Sequence, residues 1–341
     1  MAITTKDIAK MANVSQSTVS RCLNDSPMIS EKTKKKVLKI AEEHGFQFNA
    51  NARSLSAKKT NTIGVILPKS LFISGEVHFR SWQNELIESL ERMEFDVIVS
   101  FFENRFTKQN NIKRLIAAKK IDGLIILEPS LNDETIAILE KTDIPYIFCK
   151  YLPPFYKTRE VDFVCVDQYK GGYIAADHLI KNGHKKIMCI SANHIGGEFG
   201  LRTEGFKAAL HDYSLPYHDK MLFYGDATFD SGYRVIKDNV DVLRDFTSIF
   251  AQNDLMALGA IKALRELDIY VPQDIAVVGF DDIELSTLYK PYLTTVQQPT
   301  KEIAALTCKR LIDKLNSSET MKQKLEISPT LVIRESCGIS Y

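Results

Sequence analysis

Short apolar clusters set among polar residues mark the first sixty positions, and longer apolar runs mark everything after them. Within residues 4–24, TTKDIAKMANVSQSTVSRCLN, the apolar Ile8, Ala9, Met11, Val14, Val19 and Leu23 recur at helical spacing on either side of a break at Asn13, and are expected to face inward. Thr4 followed by Asp7 has the form of an N-cap with its returning acid, and Ser15 is placed to cap a second helix. That helix opens on Gln16, Ser17 and Thr18, with little bulk, and carries Ser20 and Arg21 a turn later. Two short helices joined by a turn predict a helix-turn-helix, whose second helix presents its N-terminal end to the DNA major groove. Ser30 then caps a third helix to about Glu43, with Val37, Leu38, Ile40 and Ala41 as its apolar stripe and Gly45 as its stop. Residues 49–59, NANARSLSAKK, are polar and small apart from Leu55, which is the composition of a linker.

At Thr62 the pattern changes. TIGVILP is a short apolar run closed by Pro68, suited to a fully buried parallel strand. Alternation follows: a helix over 78–93, a strand over 95–101, a helix over 108–119, a strand over 123–127, a helix over 132–141 and a strand over 146–148. A second alternating set begins near Phe163. It has a helix after Gly171-Gly172, strands over 186–190, 221–224, 248–251 and 275–279, and helices over 200–211, after Ser231 and over 254–267 between them. The fold class is therefore an all-α helix-turn-helix head plus an α/β core of two doubly wound parallel-sheet subdomains, with a cleft expected between the two.

At 341 residues the chain is long enough for two or three domains, and its 45% apolar and 26% charged composition is that of an ordinary soluble protein. The net charge of +1 hides an uneven distribution: residues 1–60 hold nine Lys and two Arg against five acids, a balance of +6, which leaves −5 for the remainder. A basic head on a mildly acidic body suits a protein whose head alone meets phosphates. The six cysteines form no CxxC pair and no metal-ligand spacing with the histidines, so reduced, mostly buried thiols are expected, with no metal and no cofactor. No apolar run approaches membrane-spanning length and the start lacks a secretory h-region, which predicts a cytoplasmic location and no membrane partner.

The head DIAKMANVSQSTVSRCLN, the segment from ISEKTKKKVLKIAEEHGFQFNANARSL to IGVILP, and then IDGLIILEPS, DHLIKNGHKKI, FAQNDLMALGAIKALRELDIYVPQDIAVVGFDDIELS, PYLTTVQQP and LVIRESC together resemble the lac repressor and gal repressor (LacI/GalR) family. The resemblance runs from about Thr4 to Cys337. It implies a head over 1–48, a hinge helix over 49–60 and an effector-binding, dimerising core over 61–341 like periplasmic sugar-binding proteins. Within the core, one subdomain would span about 61–162 and 296–325, the other about 163–292 and 326–341. The implied activity is sequence-specific transcriptional regulation, most naturally repression of carbohydrate genes, by a homodimer on a palindromic operator under control of a sugar-like effector.

Gln16, Ser17 and Arg21 match the family's base-reading positions: Gln can pair bidentately with adenine, Ser with either base, and Arg with guanine or phosphate. Thr4, Ser15, Thr18, Ser20, Asn24, Ser30, Thr33 and Asn49 would position the head on the DNA backbone, contacts that set register without reading sequence. The resemblance places Ala52, Arg53 and Leu55 in the minor groove, where the leucine of each subunit wedges into a base step. In the core it implies effector contacts by Phe79, Arg202, Asn253, Asp281 and Gln298, polar groups suited to a ligand whose every buried hydroxyl needs a partner.

Three departures from the family pattern stand out. The segment 69–79 is about four residues longer than usual and puts Val77, His78 and Phe79 at the cleft lip, with Phe79 able to stack on a ligand. Ala227 follows Gly225-Asp226 where an aromatic is common, so one stacking wall is missing unless Phe229 supplies it. Lys150 stands where the fourth strand often ends in Asp, and an ammonium there facing Arg202 would favour an anionic ligand such as a sugar acid or sugar phosphate. Two rivals are a sugar-transport receptor, which would need an export signal in place of the basic head, and an enzyme. For the latter there is no GxSxG, P-loop or HExxH, and the adjacent Asp281-Asp282 would point to opposite faces of an extended chain. A protein co-regulator acting on the core is a further alternative.

Overall fold

The computed structural model describes residues 3–23, 26–46, 59–68, 77–192, 197–316 and 321–338. The head is three helices, α1 (Thr5–Ala12), α2 (Gln16–Leu23) and α3 (Glu31–Glu43). Thr4 closes a full capping box, its hydroxyl accepting from the Asp7 amide at 3.3 Å while the Asp7 carboxylate accepts from the Thr4 amide at 3.0 Å. Asn13 ends α1 in the left-handed conformation, φ 54°, and so turns the chain toward α2. Ile8, Ala12, Val19 and Val37 are fully buried where the three helices meet. Met11 and Leu38, expected inward, are exposed. The contact stripe of α1 runs through Ile8, Ala9 and Ala12, and Met11 lies a quarter-turn off it, where no other helix of the described residues packs.

Among the described residues the core holds two six-stranded sheets. The first takes β1 (Thr62–Leu67), β2 (Asp96–Phe101), β3 (Gly123–Ile126), β4 (Tyr146–Cys149), β5 (Phe163–Val166) and β11 (Lys324–Ile327) in the spatial order β11-β5-β4-β3-β1-β2, all parallel. The second takes β6 (Ile187–Ala192), β7 (Leu222–Gly225), β8 (Ser248–Ala251), β9 (Ala276–Asp281), β10 (Thr294–Gln297) and β12 (Thr330–Val332) in the order β12-β10-β9-β8-β6-β7, antiparallel only at β10 and β12. Helices α4 (Val77–Glu91), α5 (Asn111–Ala117) and α6 (Asp133–Lys141) cover the first sheet, joined by α11 (Thr300–Asn316). Helices α7 (Gln168–Lys181), α8 (Glu198–Asp212), α9 (Phe229–Asp238) and α10 (Asp254–Arg265) cover the second.

The crossings between subdomains fall later than the sequence pattern suggests. Phe163–Val166, expected to open the second subdomain, belongs to the first sheet, and Thr294–Gln297 belongs wholly to the second. Backbone pairing on both sides of β5 decides this. Phe148 and Lys150 donate to Asp162 and Val164 on one side, at 2.9 Å each, and Phe163 donates to Gln323 at 2.9 Å on the other. A buried strand goes where both of its hydrogen-bonding edges are satisfied, and alternation along a sequence carries no record of which sheet that is.

Helix α7 also begins earlier than expected, at Gln168 behind an Asp167 cap, so Gly171 and Gly172 lie inside its first turns. They are needed there. A Cβ on Gly172 would sit 2.0 Å from the Arg202 carbonyl oxygen, and one on Gly205 would sit 2.0 Å from that of Tyr169. The paired glycines let α7 and α8 touch backbone to backbone, which fixes where Arg202 stands. All six cysteines are buried and unpaired, and burial pushes the thiols of Cys149 and Cys189 up to about 12. Among the described residues no helix is long and apolar enough to cross a membrane.

Candidate functional site

The carboxyl ends of β4, β8 and β9, with the loop after β7 and the start of α8, converge on a cavity between the two sheets. Its walls include Lys150 and Tyr151 from the first subdomain and Glu198, Phe199, Arg202, Ala227, Asn253 and Asp281 from the second. Of the family-implied effector residues, Lys150, Arg202, Asn253 and Asp281 thus line one cavity, while Gln298 and Phe79 stand behind it.

Lys150 follows β4 with φ 69°, and the Tyr151 amide donates back to the Cys149 carbonyl at 2.8 Å, so Lys150 is the middle residue of a γ-turn. The turn drives its side chain into the molecule, where the ammonium lies 4.8, 5.0 and 5.7 Å from the ring centres of Phe79, Tyr151 and Trp82. It is neither a solvent-facing lysine nor an open cation opposite Arg202. Glu198 reaches across from the other subdomain, its Oε2 at 3.7 Å from the Lys150 ammonium and 4.0 Å from the Arg202 guanidinium. The expected surplus of positive charge is therefore cancelled within the chain.

Arg202 is buried and held on all sides. Its Nε donates to Gln168 Oε1 at 2.8 Å, another of its nitrogens donates to the Gln252 carbonyl, and its guanidinium carbon lies 3.7 Å from the centre of the Phe280 ring. Gln168 in turn donates to Glu198 Oε1 at 3.1 Å. Asp281 ends β9 at φ 120° and accepts from Gln298 at 2.6 Å. Burial pushes its carboxyl up to about 6 against the pull of Arg202 and Lys150. Behind it, burial and the neighbouring Asp281 push Asp254 up to about 7, although Thr295, Ser286 and the Ile283 amide all donate to it.

Asn253 caps α10, accepting from the Met256 amide at 2.9 Å and donating to the Ala227 carbonyl at 2.8 Å. Phe79 is buried and stacks on Tyr151 at 6.1 Å, so the ring that faces the cavity is Tyr151. Phe229 does not replace the aromatic absent at Ala227. It opens α9 with its ring 5.9 Å from the Lys262 ammonium, and Phe199 supplies the second ring of the cavity wall. Glu198, Phe199, Tyr151 and Gln168 were not among the sequence-derived candidates. An i, i+4 spacing of Glu198 and Arg202 was the available signal for the first of them.

On the head, Gln16, Ser17 and Arg21 are exposed along α2. Gln16 Nε2 donates to Thr5 Oγ1 at 2.9 Å, and Ser17 shares a hydrogen bond with Ser15 at 2.7 Å. Ser15 also accepts from the Thr18 amide at 3.0 Å, and Ser30 from the Thr33 amide at 3.3 Å, so both cap helices. Thr4 and Ser30 are exposed; Thr18, Ser20 and Thr33 are half-buried. In the basic cluster of α3, Lys34 is buried against Glu31 and Lys36 donates to the Ala12 carbonyl at the end of α1, while Lys32, Lys35 and Lys39 face solvent. Asn24, Asn49, Ala52, Arg53 and Leu55 lie outside the described residues.

A family model described as bacterial regulatory proteins, lacI family, matches residues 4–49, and one described as a periplasmic binding protein-like domain matches residues 176–337. The chain is 31% identical over 338 residues to the HTH-type transcriptional repressor PurR of Aliivibrio salmonicida (strain LFI1238), covering 98% of each protein. It is 32% identical over 332 residues to catabolite control protein A of Priestia megaterium, covering 95% of this chain and 96% of the relative. Among solved structures, the lac repressor dimer bound to operator and the anti-inducer ONPF is similar with a TM-score of 0.79 at 26% identity, over 98% of this chain and 99% of that one.

Proposed function

The chain belongs to the lacI family of bacterial regulatory proteins and is a DNA-binding transcriptional repressor, and on that premise we propose that a neutral, polyhydroxylated small molecule of the sugar class, bound in the cavity around Arg202, controls its affinity for an operator. The observation that carries this reading is the charge balance of the cavity. Lys150 and Arg202 are matched by Glu198 and Asp281, and the rings of Tyr151 and Phe199 face the same space. Fixed, paired polar groups beside aromatic faces suit a ligand that offers many hydroxyls and apolar ring faces but no net charge.

The cavity takes its walls from both subdomains, so a ligand there favours one subdomain angle over another. In a homodimer that angle sets the spacing of the two segments that lead to the heads. Operator and effector then alter each other's affinity by the same factor, whichever binds first. The solved relative named as a dimer on operator supports the same assembly here, with Gln16, Ser17 and Arg21 reading each half-site of a palindrome. Ala52, Arg53 and Leu55 would enter the minor groove between half-sites, with Asn49 on the DNA backbone. Such a protein works in the cytoplasm, where its operator is.

The test combines two measurements on the full chain: thermal shift against a panel of neutral sugars, sugar acids and nucleobases, and anisotropy of an operator selected from genomic fragments. A neutral sugar that both stabilises the protein and changes operator affinity is the expected result. Stabilisation by acids or nucleobases alone, or by none of the panel, rejects the assignment.

A further inference from the structure

We propose that Glu198 determines the charge of the molecule the cleft admits: the chain's own carboxylate takes the place between Lys150 and Arg202 that an anionic ligand would take. The inference rests on the cavity being the effector site and goes further, in assigning its selectivity to one residue.

Both cations are held in place. Lys150 sits in a γ-turn with its ammonium among the rings of Phe79, Tyr151 and Trp82, and Arg202 is pinned by Gln168, the Gln252 carbonyl and the Phe280 ring. Two fixed positive groups on opposite subdomains, both buried, would by themselves make a receptor for phosphate or carboxylate. Glu198 prevents this. Its side chain is only 10% exposed, Oε2 lies within 4.0 Å of each cation, and Oε1 accepts from Gln168. Its place on the first residue of α8 puts its carboxylate at the positive end of that helix, a favourable position for a negative charge. An entering anion would meet Glu198, with Asp281 also on the cavity wall, as like charges among buried side chains. A neutral ligand meets donors and acceptors already oriented by the same pairing.

The test uses inorganic phosphate on the full chain at pH 7.5, against sodium chloride at equal ionic strength, with the thermal midpoint as readout. Glu198→Gln keeps the size and the bond to Gln168 but removes the charge; Glu198→Ala serves if the first variant fails to fold by circular dichroism. The expected result is a midpoint that rises with phosphate in the Glu198 variant, at concentrations at least tenfold below any effect on the unaltered protein. The response should disappear in the double variant with Lys150→Met, which excludes phosphate bound to the basic head. Equal responses in the unaltered protein and the Glu198 variant, or none in either, overturn the proposal. Because phosphate replaces the effector here, the result is independent of the sugar panel. A neutral sugar that acts on operator binding while Glu198→Gln ignores phosphate keeps the effector reading and removes this role for Glu198.

Discussion

Gln298 donates to Asp281 across 2.6 Å, joining the end of β9 to the segment that leaves the second sheet for α11 on the first. A side chain on the cavity wall is thereby linked to a connection between the subdomains.

Asp281→Asn keeps an acceptor for Gln298 and removes the ionisable group. Because burial raises the Asp281 carboxyl from 3.8 to about 6, the folded chain holds a proton there that the unfolded chain releases. Raising the pH from about 4 to about 6 therefore costs the unaltered protein stability through this group, and above that window the cost stays constant. Urea unfolding across the range should show the variant gaining on the unaltered protein as pH rises. A difference that is flat, or that runs the other way, contradicts the assignment.

Gly172→Ala should destabilise the core by about 1–3 kcal/mol or more, since its methyl would meet the Arg202 carbonyl oxygen at 2.0 Å and force α8 away from α7. Effector-induced stabilisation should weaken in parallel because Arg202 moves with that backbone. Gly200→Ala is the contrast on the same helix: nothing lies within 4 Å of its new methyl, so it should stabilise by about 0.5–1 kcal/mol. Urea midpoints of the two variants check both signs.

Gln16→Ala should weaken binding to the selected operator by about 1–3 kcal/mol and leave binding to a random duplex nearly unchanged. Losing the hydrogen bond to Thr5 costs the head little, since both side chains can reach water. Anisotropy titrations with the two duplexes at one salt concentration separate specific from general weakening.

Leu55→Ala should leave the thermal midpoint of the core unchanged and reduce operator affinity at least tenfold, because a minor-groove wedge acts only on bound DNA. Unchanged operator affinity would remove Leu55 from the interface.

The caps and turns of the head were legible, though not the full inward face, since Met11 and Leu38 are exposed. Thr4, Asp7, Asn13, Ser15 and Ser30 act through neighbours three or four residues away, and caps and turns of that range are written in local order. The alternation of strands and helices was equally plain, because a buried parallel strand must be continuously apolar and its covering helix must not be.

Long-range pairing lay beyond that local code. Whether Phe163–Val166 joined the first sheet or the second depended on Lys324–Ile327, about 160 residues away, arriving to satisfy its open edge. Lys150 shows the same limit in the site itself. From the sequence it was a cation opposite Arg202, but its environment comes from Phe79, Trp82, Tyr151 and Glu198, which only the tertiary fold brings around it. Local order thus set the elements and the residue types at the cleft. The charge of the cleft was decided in three dimensions, because it is a sum over groups from both subdomains and depends on which of them neutralise each other.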